Sequence, residues 1–340
     1  MPSVLVTGGA GFIGVNTALH FFQSGWRVSI LDNLSRKGAA KNLHWLQSQC
    51  QNIDFYETDI RNYDDLSHVI QQLKPDMLIH LAAQVAVTTS YENPREDFEI
   101  NAVGSFNIME SVRLLSPHTF VLYASTNKVY GGMETVPVQL GKRGYVFSNL
   151  PLGVNESQPL DFHSPYGCSK GVADQYTLDY FRIYGLNTSS FRQSCIYGKR
   201  QFGIEDQGWV AWFTIAALLG KRITLYGDGW QSRDVLNVYD LARAYEAAWH
   251  NKEQISGQAF NIGGGINNTL CLRELISFLE VELNINISPQ FGDSRPGDQP
   301  VFICDIQKAE KFLHWKPTIS VDEGVRDLIQ WVKHHRDLFI

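Results

Sequence analysis

The sequence predicts an α/β fold, a doubly wound parallel sheet with a smaller C-terminal α/β lobe, on three observations. Short β-rich runs alternate with longer stretches of helical period up to about residue 191. The first of these runs, Val4-Leu5-Val6, leads directly into a glycine-rich turn. The chain has 340 residues, more than one minimal domain needs and enough to bury a large core. Strands that alternate with helices pair in parallel and are covered on both faces.

The first strand is Ser3–Thr7, and a helix over 11–24 follows it. Strands are expected at 26–31, 53–57, 77–81, 119–124 and 187–191, with helices over 64–73 and 93–115 between them. Residues 131–163, rich in Gly, Pro and Asn, break the rhythm and read as a long surface insertion near the site, with a role as a lid left open. Beyond 191 the order is irregular, with turn-rich pieces around 226–229 and 294–298. The expected division is a dinucleotide-binding domain over 1–190, to which part of 234–262 returns, and a substrate lobe made mainly of 191–340.

Composition excludes several classes. A net charge of −6 leaves no basic excess to neutralise a phosphate backbone, so nucleic acid is not expected as a partner. The five cysteines are odd in number and widely spaced, which implies neither a disulfide framework nor a metal clip and suits a reducing cytoplasm. The longest helix-like apolar stretch, 210–219, is too short to cross a bilayer, and no export signal or membrane anchor is expected.

The run Thr7-Gly8-Gly9-Ala10-Gly11-Phe12-Ile13-Gly14 lies between a strand and a helix, with Gly8, Gly11 and Gly14 three residues apart. Glycines there permit a tight turn, close approach of backbone to a pyrophosphate and close helix-to-sheet packing. Asp32 ends the second strand, where a carboxylate accepts the adenosine ribose hydroxyls and repels a 2′-phosphate, so NAD is expected rather than NADP. Tyr166-Gly167-Cys168-Ser169-Lys170 puts a phenol and an ammonium one helical turn apart on a single face. A neighbouring cation stabilises phenolate, which makes Tyr166 a proton shuttle. Ser125-Thr126 follows a strand and places a hydroxyl at the sheet's C-terminal edge, where sites on such sheets lie.

Together these motifs resemble the extended short-chain dehydrogenase/reductase family of sugar-nucleotide epimerases and dehydratases, over nearly the whole chain. The resemblance implies a Rossmann-type sheet and tightly bound NAD. It also implies that Thr126 bonds the reacting hydroxyl, Tyr166 moves its proton and Lys170 binds the nicotinamide ribose. By the same likeness Asn33, Ser35 and Arg36 join Asp32 around the adenosine, with Asp59 and Ile60 at the adenine. Leu81, Ala82, Ala83 and Gln84 run along the cofactor, with Asn101 and Gln193 beside it. Asp59 as a turn cap, and 81–84 as strand-end packing, are the plainer readings of those residues.

Dehydratases of the family carry acidic residues directly after the threonine, whereas Asn127 and Lys128 stand here. Elimination needs a positioned acid and base beyond the hydride step, so epimerisation through a transient keto sugar is favoured. The runs 32–38, 125–131, 160–170, 200–202 and 206–210 resemble most closely the members that invert C2 of a CDP-linked hexose. A 4-epimerase, a sugar-nucleotide reductase and a non-catalytic dinucleotide sensor are the alternatives.

In the substrate lobe, Arg233 and Arg295 are expected on the diphosphate and Asp298 on the nucleotide ribose. Tyr226 reads either as a stacking platform for the base or as a core plug. Cys195 stands where many relatives have a substrate-contacting Asn. His163 either touches the sugar or organises its loop. No metal site is expected. The family likeness also implies a homo-oligomer, dimer or tetramer, through a bundle of the helices near 93–113 and 165–184.

Overall fold

The computed structural model describes residues 1–294 and 298–339. In chain order the first half comprises β1 (Ser3–Thr7), α1 (Phe12–Gln23), β2 (Arg27–Asp32), α2 (Ala39–Gln49), β3 (Asp54–Glu57), α3 (Tyr63–Leu73) and β4 (Met77–His80). Short helices α4 (Val87–Glu92) and α5 (Pro94–Phe98), a π-helical turn at Glu99–Val103 and α6 (Gly104–Leu115) lead to β5 (Phe120–Thr126). The hairpin β6 (Val138–Leu140) and β7 (Tyr145–Phe147) precedes α7 (Ser164–Tyr184) and β8 (Thr188–Gln193).

The remainder comprises β9 (Cys195–Tyr197), α8 (Trp209–Leu219), β10 (Thr224–Tyr226), β11 (Ser232–Asn237), α9 (Val238–His250), α10 (Lys252–Ile255) and β12 (Gln258–Ile262). It ends with β13 (Thr269–Cys271), α11 (Leu272–Leu283), β14 (Gln290–Gly292), β15 (Val301–Phe302), α12 (Gln307–Leu313) and α13 (Val321–His334).

Seven strands form one parallel sheet in the order β12-β8-β5-β4-β1-β2-β3. The order reverses between β1 and β4, which is the doubly wound Rossmann arrangement. Alternate side chains explain why both faces are covered. Val4 and Val6 of β1 join one core with α1, α2 and α9, while Leu5 joins the opposite core with α3 and α6. A four-stranded sheet of β13, β11, β15 and β9, the pair β10–β14, and helices α8, α11 and α13 build the second lobe around its own core.

The helix expected over 93–115 is broken. The π-helical turn inserts where Asn101 donates to the Gln84 carbonyl at 3.0 Å and Ser105 donates to the Asn101 carbonyl at 2.5 Å, so side chains compete with the regular ladder. The insertion at 131–163 is anchored rather than loose. Met133, Phe147 and Val154 are buried against 301–304, Val154 bridges Cys304, and the Tyr145 amide donates to the Trp230 carbonyl at 2.9 Å. It forms a fixed wall against the second lobe.

One buried ion pair seats α7 on the sheet. Arg192 of β8 and Asp174 of α7 lie 2.9 Å apart with side chains 5% and 0% exposed. Ser190 donates to the same carboxylate at 2.6 Å, and Arg192 also donates to the Tyr130 hydroxyl at 3.1 Å. Burial works against the charge on Asp174, yet Arg192 and the hydroxyls around it bring its carboxyl below the ordinary range. Removing one partner of such a pair strands the other charge. Asp174→Ala is therefore expected to cost about 3–5 kcal/mol in folding free energy, read as a lower midpoint in chemical denaturation; an unchanged midpoint would show that the pair does not hold α7.

Candidate active site

The C-terminal ends of the sheet strands open on a cavity of about 650 Å³ that extends into the second lobe. Register brings the strand ends to one edge, with Thr7 beside His80 and Thr126 beside Gln193. The glycine turn forms the floor. Gly8 has φ +67, and a Cβ there would lie 2.7 Å from the Ala82 nitrogen; at Gly14 a Cβ would overlap the Gly8 carbonyl. Gly11 differs, because within 4 Å its Cβ would meet only the Gly8 carbonyl oxygen at 3.1 Å, and Gly11 lines the cavity. No side chain caps the N-terminus of α1, so the turn is a bare, electropositive cradle. These features fit a dinucleotide.

Asp32 lines the cavity with Phe12, Ile13, Asn33, Ser35 and Arg36. Its carboxylate accepts from the Ala10 amide at 3.0 Å and the Leu34 amide at 2.8 Å, while burial raises its pKa. Asp59 accepts from Arg61 at 2.7 Å and from Asn33 at 2.9 Å, and these bonds hold its pKa at about 2. Ile60, Leu81, Ala82, Ala83 and Gln193 also line the cavity. Gln84 and Asn101 are not among the lining residues. Asn101 accepts from the Gln84 amide at 2.9 Å, and both side chains donate to Asp97, so they brace the wall from behind.

Thr126, Tyr166 and Lys170 meet at the centre, each less than a tenth exposed. Burial pushes the Tyr166 phenol up to about 12, while a hydrogen bond with Thr126 and the charge of Arg36 pull the other way. Burial lowers the Lys170 ammonium to about 7, opposed by Asp174 and Asp97. Lys170 donates to the Ala124 carbonyl at 2.6 Å and lies 4.3 Å from the centre of the Tyr123 ring. Arg36, from the loop after β2, thus adds its charge to the site that holds Tyr166 and Lys170. Arg36 also donates to Gln207 of the second lobe, bridging the cleft. His80, bonded to Thr7 at 2.7 Å and Ser105 at 3.0 Å, is held neutral by burial, its pKa lowered to about 3.

At the far end Arg233 and Asp298, both lining the cavity, form an ion pair at 2.6 Å. Tyr226 lines the same end and donates to Glu205 at 3.0 Å. Arg295 lies outside the described residues. Cys195 lines the cavity between Ser194 and Ile196. His163 pairs with Asp161 at 3.0 Å and lines a separate cavity of about 480 Å³ under the insertion. Lys128, which sequence reading used only to argue against dehydration, is itself a lining residue. Its position two residues beyond Thr126 at the sheet edge was the available signal.

A cleft whose glycine turn fits a dinucleotide and whose centre holds a Thr-Tyr-Lys trio has the form of a nicotinamide-dependent oxidoreductase site. The model of the GDP-mannose 4,6 dehydratase family matches residues 5–328, and the chain belongs to this NAD-dependent epimerase/dehydratase family. More particularly, it is 46% identical over 333 residues to the CDP-paratose 2-epimerase of Salmonella typhi, covering 96% of this chain and 98% of that one. The UDP-glucose 4-epimerase of Thermotoga maritima, solved with UDP-glucose, superimposes with a TM-score of 0.84 at 29% identity, covering 98% of this chain and 99% of that chain. The Thermus thermophilus UDP-glucose 4-epimerase complex with NAD gives a TM-score of 0.82 at 28% identity, with 98% and 99% coverage.

The glycine geometry separates two roles. Gly11→Ala is expected to leave the thermal midpoint unchanged and to deplete the NAD released from purified protein by acid, because its methyl fills the cradle. Gly14→Ala is expected to lower the midpoint itself. Full NAD content in Gly11→Ala would remove that glycine from the cofactor seat.

Proposed function

We propose that the protein inverts C2 of a CDP-linked hexose, of the CDP-paratose to CDP-tyvelose type, through a transient 2-keto sugar. The observation that carries the reading is the likeness to CDP-paratose 2-epimerase at 46% identity over almost the full length of both chains, joined to a cavity holding Thr126, Tyr166 and Lys170. NAD would lie with its pyrophosphate on the turn at Gly8, Gly11 and Gly14 and its adenosine ribose at Asp32, whose carboxylate disfavours a 2′-phosphate. When bound, NAD supplies the acceptor and donor of the hydride that turns C2 into a ketone and back.

The residues of the chain manage the proton and the sugar. Thr126, beside Tyr166 in the cavity, orients the C2 hydroxyl; Tyr166 takes its proton and returns it after the sugar has presented its other face. Lys170 stands on the same buried face of α7, one turn from Tyr166, to bind the nicotinamide ribose. The turn after Thr126 offers Asn127 and Lys128, so no carboxyl stands there to divert the keto sugar into loss of water. The Arg233–Asp298 pair and Tyr226 serve the nucleotide end, the former at the diphosphate and ribose and the latter at the base.

We also propose a homodimer. Phe98, Phe106 and Leu114, with Tyr176, Ile183 and Tyr184 of α7, are exposed apolar side chains on adjacent elements, and Phe106 and Tyr176 pack edge-to-face. Grouped exposed aromatics mark an interface. The reaction is assigned to the cytoplasm, in keeping with five unpaired cysteines.

Three measurements test these readings. NMR of the products from CDP-paratose, CDP-glucose and UDP-glucose, without added cofactor, is expected to show inversion at C2 of a CDP-sugar; inversion only at C4 would transfer the chain to the alternative. Tyr166→Phe is expected to lower kcat by at least about 100-fold. Phe106→Asp is expected to shift the sedimentation coefficient from dimer to monomer, and a monomeric wild type would end the dimer proposal.

A further inference from the structure

Lys128 is a cation of the cavity beside the reacting groups to which no role has yet been given. It sits in the 3₁₀ turn Asn127–Tyr130 that immediately follows β5, its amide donating to the Thr126 hydroxyl at 3.2 Å. Gly131 donates to its carbonyl at 3.2 Å, so backbone bonds on both sides fix where the side chain starts. It lines the cavity together with Thr126, Tyr166, Cys195, Arg233 and Asp298. Among the described residues no hydrogen bond or ion pair of its ammonium is found. Asp298 is already engaged with Arg233 at 2.6 Å. Lys128 therefore shares this part of the cleft with the Arg233–Asp298 pair, while Glu205, bonded to Tyr226, and Asp206 also line the cavity. Burial, joined by the charge of Arg233, lowers the Lys128 ammonium to about 8, and Asp298 only partly opposes them. A half-buried amine in that condition gains most from an anionic ligand.

The place of this cation matters as much as its charge. Arg233 stands on β11 at the nucleotide end, whereas Lys128 is two residues from the threonine that faces the reacting hydroxyl. In a nucleoside diphosphate sugar the anomeric carbon carries the β-phosphate, and C2 is its direct neighbour. C4 lies across the ring. A cation beside the reacting centre thus suits a substrate whose diphosphate end lies close to the carbon that reacts.

We propose that Lys128 binds the β-phosphate of the nucleoside diphosphate and so fixes the anomeric end of the sugar beside Thr126 and Tyr166, making it a specificity-determining residue. The phosphate contact stands on the charge and the cavity; the consequence for C2 rests on the functional reading above. Arg233 then serves the α-phosphate side and Lys128 the β-phosphate side. While the β-phosphate stays held, the rest of the sugar turns about its bonds to that phosphate to present its second face.

Calorimetric titration of the NAD-containing enzyme with diphosphate and monophosphate pairs, CDP with CMP and UDP with UMP, isolates the β-phosphate. Lys128→Met is expected to weaken the diphosphate of whichever base the wild type binds by about tenfold and to leave its monophosphate within about twofold. Lys128→Arg should restore most of the preference. The retained monophosphate affinity reports that the variant is folded, and Lys128→Gln provides a second neutral side chain if the methionine variant is not. Equal losses for both members of a pair, or no loss for either, would overturn the proposal. If the diphosphate loss appears but wild-type product shows inversion at C4, the phosphate contact stands and the C2 reading falls.

Discussion

Desolvation of a phenol and an amine on one helical face is the constraint around which the rest of this molecule is arranged. Burial drives Tyr166 and Lys170 in opposite directions on the pH scale and toward the same condition, loss of charge. Keeping such groups inside a protein requires a rigid frame and satisfied neighbours. The frame is the Arg192–Asp174 pair that ties α7 to β8, and the neighbours are Thr126, the Ala124 carbonyl and Asp97. Even the irregular turn in the helix after β4 belongs to this arrangement. It lets Asn101 reach Gln84 and Ser169 at once, linking the wall of the cofactor cleft to the back of α7.

What the sequence made legible was local. The glycine turn, the acid that ends β2 and the Tyr-Lys spacing each depend on residues a few positions apart, so their geometry is set by strand and helix periods. The parallel sheet was legible for the same reason. Other features depend on partners far along the chain. Arg36 lies in the loop after β2, yet it bears on Tyr166 of the distant helix α7 and bonds Gln207 of the second lobe, contacts between residues far apart in the chain. The pairing of Arg233 with Asp298 is equally non-local, and so is the support of the insertion by 301–304. Helix α2 was missed because its residues are largely polar and its N-terminus has no side-chain cap, so it carries no start signal.

The two lobes divide the electrostatic labour. On the sheet side the cavity presents a bare helix N-terminus and a buried carboxylate, features suited to a dinucleotide with an unmodified ribose. Across the cleft it presents Arg233 paired with Asp298, and Lys128 reaches the same cavity from the end of β5, features suited to a diphosphate carried by a smaller ligand. Thr126 stands where the two fields meet. A family model named for dehydration covers this chain, yet the turn after that threonine holds an amide and an amine and no carboxyl, and a shared fold does not by itself fix the reaction.

The anchored insertion limits how such an enzyme can diversify. Phe147 and Val154 on one side and Val301, Phe302 and Ile303 on the other form one small core, although about 150 residues separate them in the chain. Exchanging segment 131–163 alone for a foreign loop would therefore leave a strip of apolar side chains facing water, and the hybrid would become adhesive before it became selective for anything new. Inheritance of the two segments should be correlated, and recombination within this lineage is constrained to respect the pair.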